Sequence, residues 1–175
     1  MTLRIVPASL EDAAAVARIH VEAWRAAYEG IIPAPFLAAM SVSRREAAWR
    51  ESIARGAPEV LVAKGAAGVV GWIAFGASRD ADADAVQAEV HAIYLAPDHW
   101  AQGIGGLLWT EARRRLALQG FERVSLWVLA ENARALRFYR AMGLTLDPTG
   151  QKDSERGGKR LLELRYVMAL AQQEV

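Results

Sequence analysis

The stretch HWAQGIGGLLWTEARRRL, residues 99–116, places three glycines within four positions and then continues with the pattern of a helix. Glycine is a poor helix former, so glycines at the start of a helix need an explanation. The first amide groups of a helix lack partners within it, and the helix dipole makes that end positive. Glycines there let an anion approach the bare backbone. The stretch therefore indicates either a phosphate site or a tight turn with close packing.

Two common phosphate-binding motifs do not fit this turn. The Walker motif requires a lysine followed by serine or threonine after its last glycine, and no such pair is present here. The dinucleotide motif GxGxxG requires a third glycine at position 108, where the sequence has Leu108. Neither motif therefore explains the glycines.

The segments on both sides of the turn alternate between the patterns of strands and helices. A long strand, VQAEVHAIYL (86–95), precedes the turn, and the strand RVSLWVL (123–129) and a helix over 132–142 come after its helix. Further elements are predicted towards the two ends: a strand at 3–6, helices to about Tyr28 and over 43–55, a hairpin of 59–64 and 68–76, a strand LTLD, and a last strand over 161–170. This order predicts an α/β domain around a mixed sheet.

Length and composition exclude several classes of protein. The 175 residues suit one domain, and the formal net charge of +1 argues against a nucleic-acid partner. The absence of cysteine excludes disulfides, thiolate metal sites and a cysteine nucleophile. No run of 18 residues lacks charge, and the N-terminal residues lack the pattern of a signal peptide. We therefore expect a cytoplasmic protein without a membrane partner or a metal.

The turn resembles the acyl-CoA loop of the GNAT superfamily of N-acetyltransferases, written Gln/Arg-x-x-Gly-x-Gly/Ala. Gly103 and Gly105 occupy its two small positions, whereas Trp100 stands where the family has Gln or Arg. The departure removes a polar side-chain contact from the first position, but the backbone amides of 101–106 remain. A second block, 126–144, resembles the family's Asn-x-x-Ala-x-x-Phe-Tyr motif followed by glycine and a large apolar residue, with Asn132, Ala135, Phe138, Tyr139, Gly143 and Leu144.

The resemblance covers nearly the whole chain and implies one GNAT-like domain over residues 1–175. The implied fold is a mixed, mostly antiparallel sheet of about seven strands flanked by about four helices. The implied reaction moves an acetyl group from acetyl-CoA to an amine of a small molecule or peptide. The residues expected at the co-substrate are Ile93, Tyr94, Leu95, Trp100, Ala101, Gln102, Gly103, Ile104, Gly105, Gly106, Asn132 and Tyr139.

Tyr139 is the candidate general acid, because the leaving thiolate must gain a proton. It lies two helical turns after Asn132, so both side chains face the same way. The resemblance implies that Tyr139 points at the sulfur of the co-substrate. The alternatives are that Tyr139 is a packed aromatic beside Phe138 and that Asn132 is only a helix N-cap.

Glu89 is the candidate base, acting directly or through water. A carboxylate in the middle of a strand is costly unless it is paired or used in chemistry. Strict alternation would place it on one face of its strand together with Gln87, His91, Ile93 and Leu95. The alternative is a salt-bridged or exposed carboxylate, with His91 as the reserve base because it titrates near neutrality.

The acceptor is the part of the function that the sequence defines least. His20, Trp24 and Tyr28 recur every four residues along the first helix, which is typical of core packing. The alternative is that Trp24, Tyr28 and His91 bind the acceptor, with an aromatic ring against a cationic amine. The acidic loop over 77–85 is expected to be solvated, because it lacks the glycine and glutamate of a calcium loop.

Two other functions remain open at this point. One is an acyl-CoA-binding sensor that keeps the loop but transfers nothing, and the other is a nucleotide-binding module. Polyamines, amino-acid derivatives, aminated antibiotics and protein amines all remain candidate acceptors. An exposed last strand would also allow a homodimer.

Overall fold

The computed structural model describes residues 3–171, which form a seven-stranded sheet with helices on both faces. The strands are β1 (Arg4–Pro7), β2 (Glu59–Gly65), β3 (Gly68–Ala77), β4 (Gln87–Leu95), β5 (Arg123–Leu129), β6 (Thr145–Arg156) and β7 (Lys159–Ala169). The helices are α1 (Ala13–Ala27), α2 (Ala34–Ala38), α3 (Val42–Arg55), α4 (Ile104–Leu118) and α5 (Ala133–Ala141). The predicted fold class is confirmed, with the short α2 as the helix that the sequence pattern did not indicate.

The strand order across the sheet is β1-β2-β3-β4-β5-β7-β6, and β4 with β5 is the parallel pair. This pairing joins only the first three residues of each strand, Gln87–Glu89 of β4 with Arg123–Ser125 of β5. Beyond Glu89 the two strands part, while β4 stays paired with β3 as far as Leu95. The divergence leaves one edge of the second half of β4 open, and this opening positions the site.

The helices cover the two faces of the sheet with separate apolar clusters. Ile104, Leu108 and Trp109 of α4 pack on one face in a cluster that also contains Leu136 of α5. Val16 and Ile19 of α1 pack on the other face, with side chains of α3 against them. A third cluster joins the end of α1 and α2 to β7. Burial on both faces thus holds α1 and α5 on opposite sides of the open edge of β4.

The expected strict alternation along β4 is wrong, because the pairing with β3 shifts register near its middle. Phe75 is opposite Val90, but Ala74 is opposite Ala92, so a β-bulge absorbs His91. The extra residue reverses the facing of the residues after it. Ile93 and Leu95 therefore pack in the α4 cluster with Val90, rather than sharing a face with Glu89.

The C-terminal strands also differ from the expectation. The strand predicted as LTLD continues to Arg156, across an irregularity between Leu146 and Gln151, and turns through Gly157 and Gly158, both with positive φ. β7 then lies between β5 and β6 and is paired on both sides. The last strand is therefore not an exposed edge, and the outer position belongs to β6.

Residues 3–171 include no helix that is both long and apolar enough to span a membrane. Within the same residues, no cluster of three or more histidine and acidic side chains is arranged to hold a metal ion.

Candidate active site

A cavity of about 730 Å³ lies where β4 and β5 part. Its walls come from α1, the second half of β4, the C-terminal half of β5, the first turns of α5, and the β6–β7 hairpin. The predicted site residues that line it are Trp24, Tyr28, Glu89, His91, Ile93, Tyr94, Leu95, Trp100, Ala101, Gly105, Asn132 and Tyr139. Four predicted residues of the glycine turn do not line it: Gln102, Gly103, Ile104 and Gly106.

Helix α4 begins without a side-chain cap from any of residues 3–171. Its N-cap is Gly103, whose φ of +78° is a left-handed conformation that favours glycine. The amide of Leu107 donates to the carbonyl of Gly103, so the amides before it have no helical acceptor. These free amides and the positive helix end fit a pyrophosphate group.

Gly105 has a different reason to be glycine. A Cβ at this position would lie 3.2 Å from the ring of Phe138 and 3.6 Å from Cδ1 of Leu95. The start of α4 can therefore approach α5 and the end of β4 only without a side chain at position 105. This close packing leaves the backbone of Gly105 in the wall of the cavity.

Trp100, the residue that departs from the family motif, holds two groups in place. Its indole Nε1 donates to the carbonyl of Leu95 over 3.0 Å, which fixes the end of β4. The guanidinium carbon of Arg134 lies 3.2 Å from the centroid of the indole ring. Arg134 lines the cavity and has no carboxylate within 4 Å among the described residues. An arginine stacked on an indole beside a helix N-terminus is a further positive group for an anion.

The open edge of β4 offers backbone groups to the cavity. Ile93 to Leu95 are paired with β3 on one side and with no strand of the described chain on the other. The carbonyl of Leu95 is taken by Trp100, so the free groups belong to the residues before it. An extended arm, such as pantetheine, can pair with such an edge as an added strand does.

Glu89 is buried and ion-paired. Its Oε1 accepts from Nη2 of Arg79 at 2.6 Å, and its Oε2 accepts from the Nε and the backbone amide of Arg79. Burial raises the pKa of Glu89, but the hydrogen bonds from Arg79 outweigh it, so the pKa lies below its ordinary value. Glu89 is therefore ionised at neutral pH. Two carboxylate oxygens accept about four hydrogen bonds, so one position on Oε1 stays open.

His91 lies in the same wall, at the bulge of β4. Its Nε2 is 3.4 Å from the carbonyl oxygen of Ala77. Burial lowers the pKa of His91, and the charge of Arg79 lowers it further. The imidazole is therefore neutral at pH 7 and can accept a proton.

Three tyrosines line the cavity: Tyr28, Tyr94 and Tyr139. The hydroxyls of Tyr28 and Tyr94 are 2.9 Å apart and hydrogen-bonded to each other. Tyr139 lines the cavity close by, and its hydroxyl has no hydrogen-bond partner among the described residues. Burial raises the pKa of Tyr139 well above its ordinary value, and the charge of Tyr28 acts in the same direction. The phenol is thus protonated at neutral pH, its raised pKa makes it a weaker acid, and no acceptor among the described residues competes for its proton.

Asn132 caps α5, as one of the two interpretations of the sequence expected. Its Oδ1 accepts from the amide of Ala135 over 3.2 Å. It also lines the cavity together with Tyr139, which confirms that the two side chains face the same way.

The aromatic residues of α1 divide between the core and the cavity. His20 is buried, accepts from the indole of Trp49 over 3.0 Å, and stacks on Tyr94. Trp24 and Tyr28 line the cavity, with their ring centroids 5.0 Å apart. Of the three residues spaced four apart, His20 therefore packs in the core, and Trp24 and Tyr28 line the cavity.

The acidic loop over 77–85 is not wholly solvated, contrary to the expectation. Arg165 of β7 is buried and donates to Asp80, Asp82 and Asp147. The indole of Trp127 also donates to Asp80. These contacts hold the loop in place, and the same loop carries Arg79, the ion-pair partner of Glu89.

Sequence reasoning missed several charged and aromatic residues of the cavity: Arg79, Trp127, Arg134, Lys152, Arg156 and Glu163. Arg79 and Arg134 lie beside predicted motifs, but nothing in a motif shows where a long side chain points. The residues on β6 and β7 come together only through the register of a hairpin whose first strand was predicted too short.

Comparisons with known proteins agree with this geometry. The model of the acetyltransferase (GNAT) family matches residues 17–144. The uncharacterized N-acetyltransferase YuaI of Bacillus subtilis is 31% identical over 158 residues, which cover 90% of this chain and 87% of YuaI. The chain belongs to the GNAT family, and the enzyme class predicted from the sequence, an N-acetyltransferase, is confirmed.

Solved structures share the fold at low sequence identity. PaiA N-acetyltransferase from Thermoplasma acidophilum, in complex with coenzyme A, has a TM-score of 0.74 and 22% identity over 93% of this chain and 98% of its own. YncA from Salmonella typhimurium, with its cofactor acetyl-CoA, has a TM-score of 0.75 and 21% identity over 100% and 98% of the two chains. Both of these proteins hold coenzyme A or acetyl-CoA in their structures, and both share the fold of this chain.

Proposed function

We propose that this protein transfers the acetyl group of acetyl-CoA to an amine of a small molecule or peptide. The observation that carries the proposal is one cavity that reaches the first turn of an uncapped helix at Gly105 and also includes an open strand edge, a phenol without a hydrogen-bond partner among the described residues, and a buried carboxylate. The proposal covers residues 1–175 as one domain and retains the cytoplasmic location expected from the sequence.

The end of the cavity beside the start of α4 binds the co-substrate. The free amides at the start of α4 bind the pyrophosphate, and Arg134, held on Trp100, adds a positive charge beside it. The open edge of β4 at Ile93–Tyr94 orients the pantetheine arm towards Tyr139. Acetyl-CoA supplies the activated thioester, and the chain supplies position and proton transfer.

Tyr139 acts as the general acid. Its hydroxyl is protonated at neutral pH and lines the cavity without another acceptor among the described residues. It can therefore donate to the sulfur as that atom gains charge. This role needs no change in the protonation of any other side chain.

Glu89 acts as the base through a water molecule. Three of its hydrogen-bonding positions are occupied by Arg79, and the remaining position on Oε1 can accept from water. The ion pair keeps the carboxylate charged but lowers its basicity. The open position on Oε1 can hold a water molecule that passes the proton of the amine to the carboxylate. His91, neutral in the same wall, is the competing base.

The test is turnover of acetyl-CoA with a broad panel of amines, followed as release of free CoA. Glu89→Gln should lower kcat by about 10²-fold or more, the lower end of the range for general base catalysis, while CoA affinity is kept. His91→Gln should lower kcat by less than about threefold. The reverse order of the two effects would assign the base to His91.

Arg79→Gln serves as the matched control for the lost ion pair. It removes the hydrogen bonds that lower the pKa of Glu89 and leaves the burial that raises it. The acid limb of the rate profile should therefore move to higher pH, with activity recovered on the alkaline side. Binding of CoA without release from any amine would instead favour the acyl-CoA sensor.

A further inference from the structure

One end of the cavity is walled by Trp127, Lys152, Arg156 and Glu163. The sheet register explains why these side chains meet. Glu163 of β7 is opposite Lys152 of β6 on one side and Leu129 of β5 on the other. Directly opposite residues share a face, and Trp127 is two residues from Leu129, so it shares that face as well.

The charges at this end lack partners within the described chain. Lys152 Nζ lies 4.0 Å from the centroid of the Trp127 ring and forms no ion pair with residues 3–171. Arg156 donates to the carbonyl of its neighbour Glu155 rather than to a carboxylate. Glu163 has no cation within 4 Å among the same residues, although Lys152 is its cross-strand neighbour.

The other charged side chains of the cavity have a partner or a role assigned above. Glu89 is paired with Arg79, and Arg134 is stacked on Trp100 at the end that binds the co-substrate. This end therefore presents two cations and one anion that have no ion-pair partner among the described residues, beside the ring of Trp127. Burial raises the pKa of Tyr28, and the charges of Glu163, Arg134 and Arg156 also act on it, so all three groups lie near its hydroxyl.

We propose that the acceptor is an amine that also carries a carboxylate, the chemistry of an α-amino acid, and that Lys152 and Arg156 bind this carboxylate. Glu163 supplies the complementary charge for the ammonium form of the amine before transfer. A polyamine fits this end poorly, because its cationic chain would meet two cations. The inference rests on the proposed acetyl transfer and narrows its acceptor.

Three forms of one molecule test the inference: L-phenylalanine, L-phenylalaninamide and phenethylamine, with the leucine series in parallel. The acid and the amide have nearly the same shape, and only the acid carries the negative charge. We expect kcat/KM to be at least about tenfold higher for the acid, the size of a charge-assisted contact. The amine of the amide is less basic, so a larger fraction of it is unprotonated at neutral pH. This difference alone would favour turnover of the amide.

Lys152→Met keeps the length of the side chain and removes its charge. It should raise KM for the acid by about tenfold and leave KM for the amide unchanged. Arg160→Met is the matched control, since Arg160 lies on β7 with 81% of its side chain exposed and outside the cavity wall. This control variant should leave KM unchanged for both the acid and the amide.

Two results would overturn the inference. The first would leave the proposed acetyl transfer in place, and the second would contradict it as well. Equal or better turnover of the amide, phenethylamine or spermidine would show an acceptor without a carboxylate, and acetyl transfer would stand. Failure of every amine to release CoA from a protein that binds CoA would remove the proposed function as well.

Discussion

At the scale of single residues, the hydroxyl of Tyr139 can be removed with little change in side-chain volume. Tyr139→Phe should keep the fold and the affinity for CoA but lower kcat by about 10²-fold or more, because it removes the hydroxyl that we propose protonates the sulfur. The measurement is CoA release at saturating acetyl-CoA. A fall under about threefold would return Tyr139 to the role of a packed aromatic.

Tyr166→Phe is the control for this change. It also removes one phenol hydroxyl, which accepts from Arg140 outside the cavity. Its kcat should match that of the parent protein, so a fall in both variants would point to a structural effect.

At the scale of elements, the site depends on how closely α4 approaches α5. Gly105→Val should push the ring of Phe138 away and fill the cavity wall, since even a Cβ there lies 3.2 Å from that ring. We expect CoA affinity to fall by about tenfold or more, which corresponds to about 1.4 kcal/mol. Calorimetry on the folded variant measures this.

Gly65→Ala is the matched change at a glycine outside the site. Its Cβ would make only ordinary contact, 3.8 Å from Cδ1 of Leu3. Calorimetry should find its CoA affinity unchanged. Undiminished affinity in Gly105→Val would remove the start of α4 from the binding site.

At the scale of the whole molecule, His20 makes stability depend on pH. Burial, assisted by the charge of Arg45, lowers the pKa of His20 from 6.5 to about 3. In the unfolded chain His20 therefore binds a proton below pH 6.5, whereas in the folded protein it stays neutral down to about pH 3. The contribution of His20 to the free energy of unfolding is therefore full above pH 6.5. It falls by about 1.4 kcal/mol per pH unit between pH 6.5 and about 3.

His20→Gln isolates this effect, because glutamine can accept from Trp49 without titrating. Between pH 7.5 and 5, the parent protein should lose about 2 kcal/mol more unfolding free energy than the variant. Urea unfolding at the two pH values measures the difference. Parallel losses in the two proteins would mean that His20 is protonated in the fold.

The sequence was sufficient where local pattern decides the structure. The helix start at the glycine turn, the cap at Asn132 and the shared facing of Asn132 and Tyr139 are local features, and the structure has each of them where the sequence pattern indicated it. The bulge at His91 was not, because the pairing of β4 with β3 sets it. The free charges of Lys152 and Glu163 depend on the register of a polar outer strand, which carries no apolar alternation.

The outer strands of the sheet have a consequence for aggregation. β1 has only four residues and ends in Pro7. β6 is longer, but five of its twelve residues are charged, and Pro148 lies within its irregular stretch. Neither strand offers the long, flat, apolar template to which a foreign strand adds. Aggregation of this protein should therefore begin from partly unfolded molecules, in which inner strands such as β3 and β5 are uncovered.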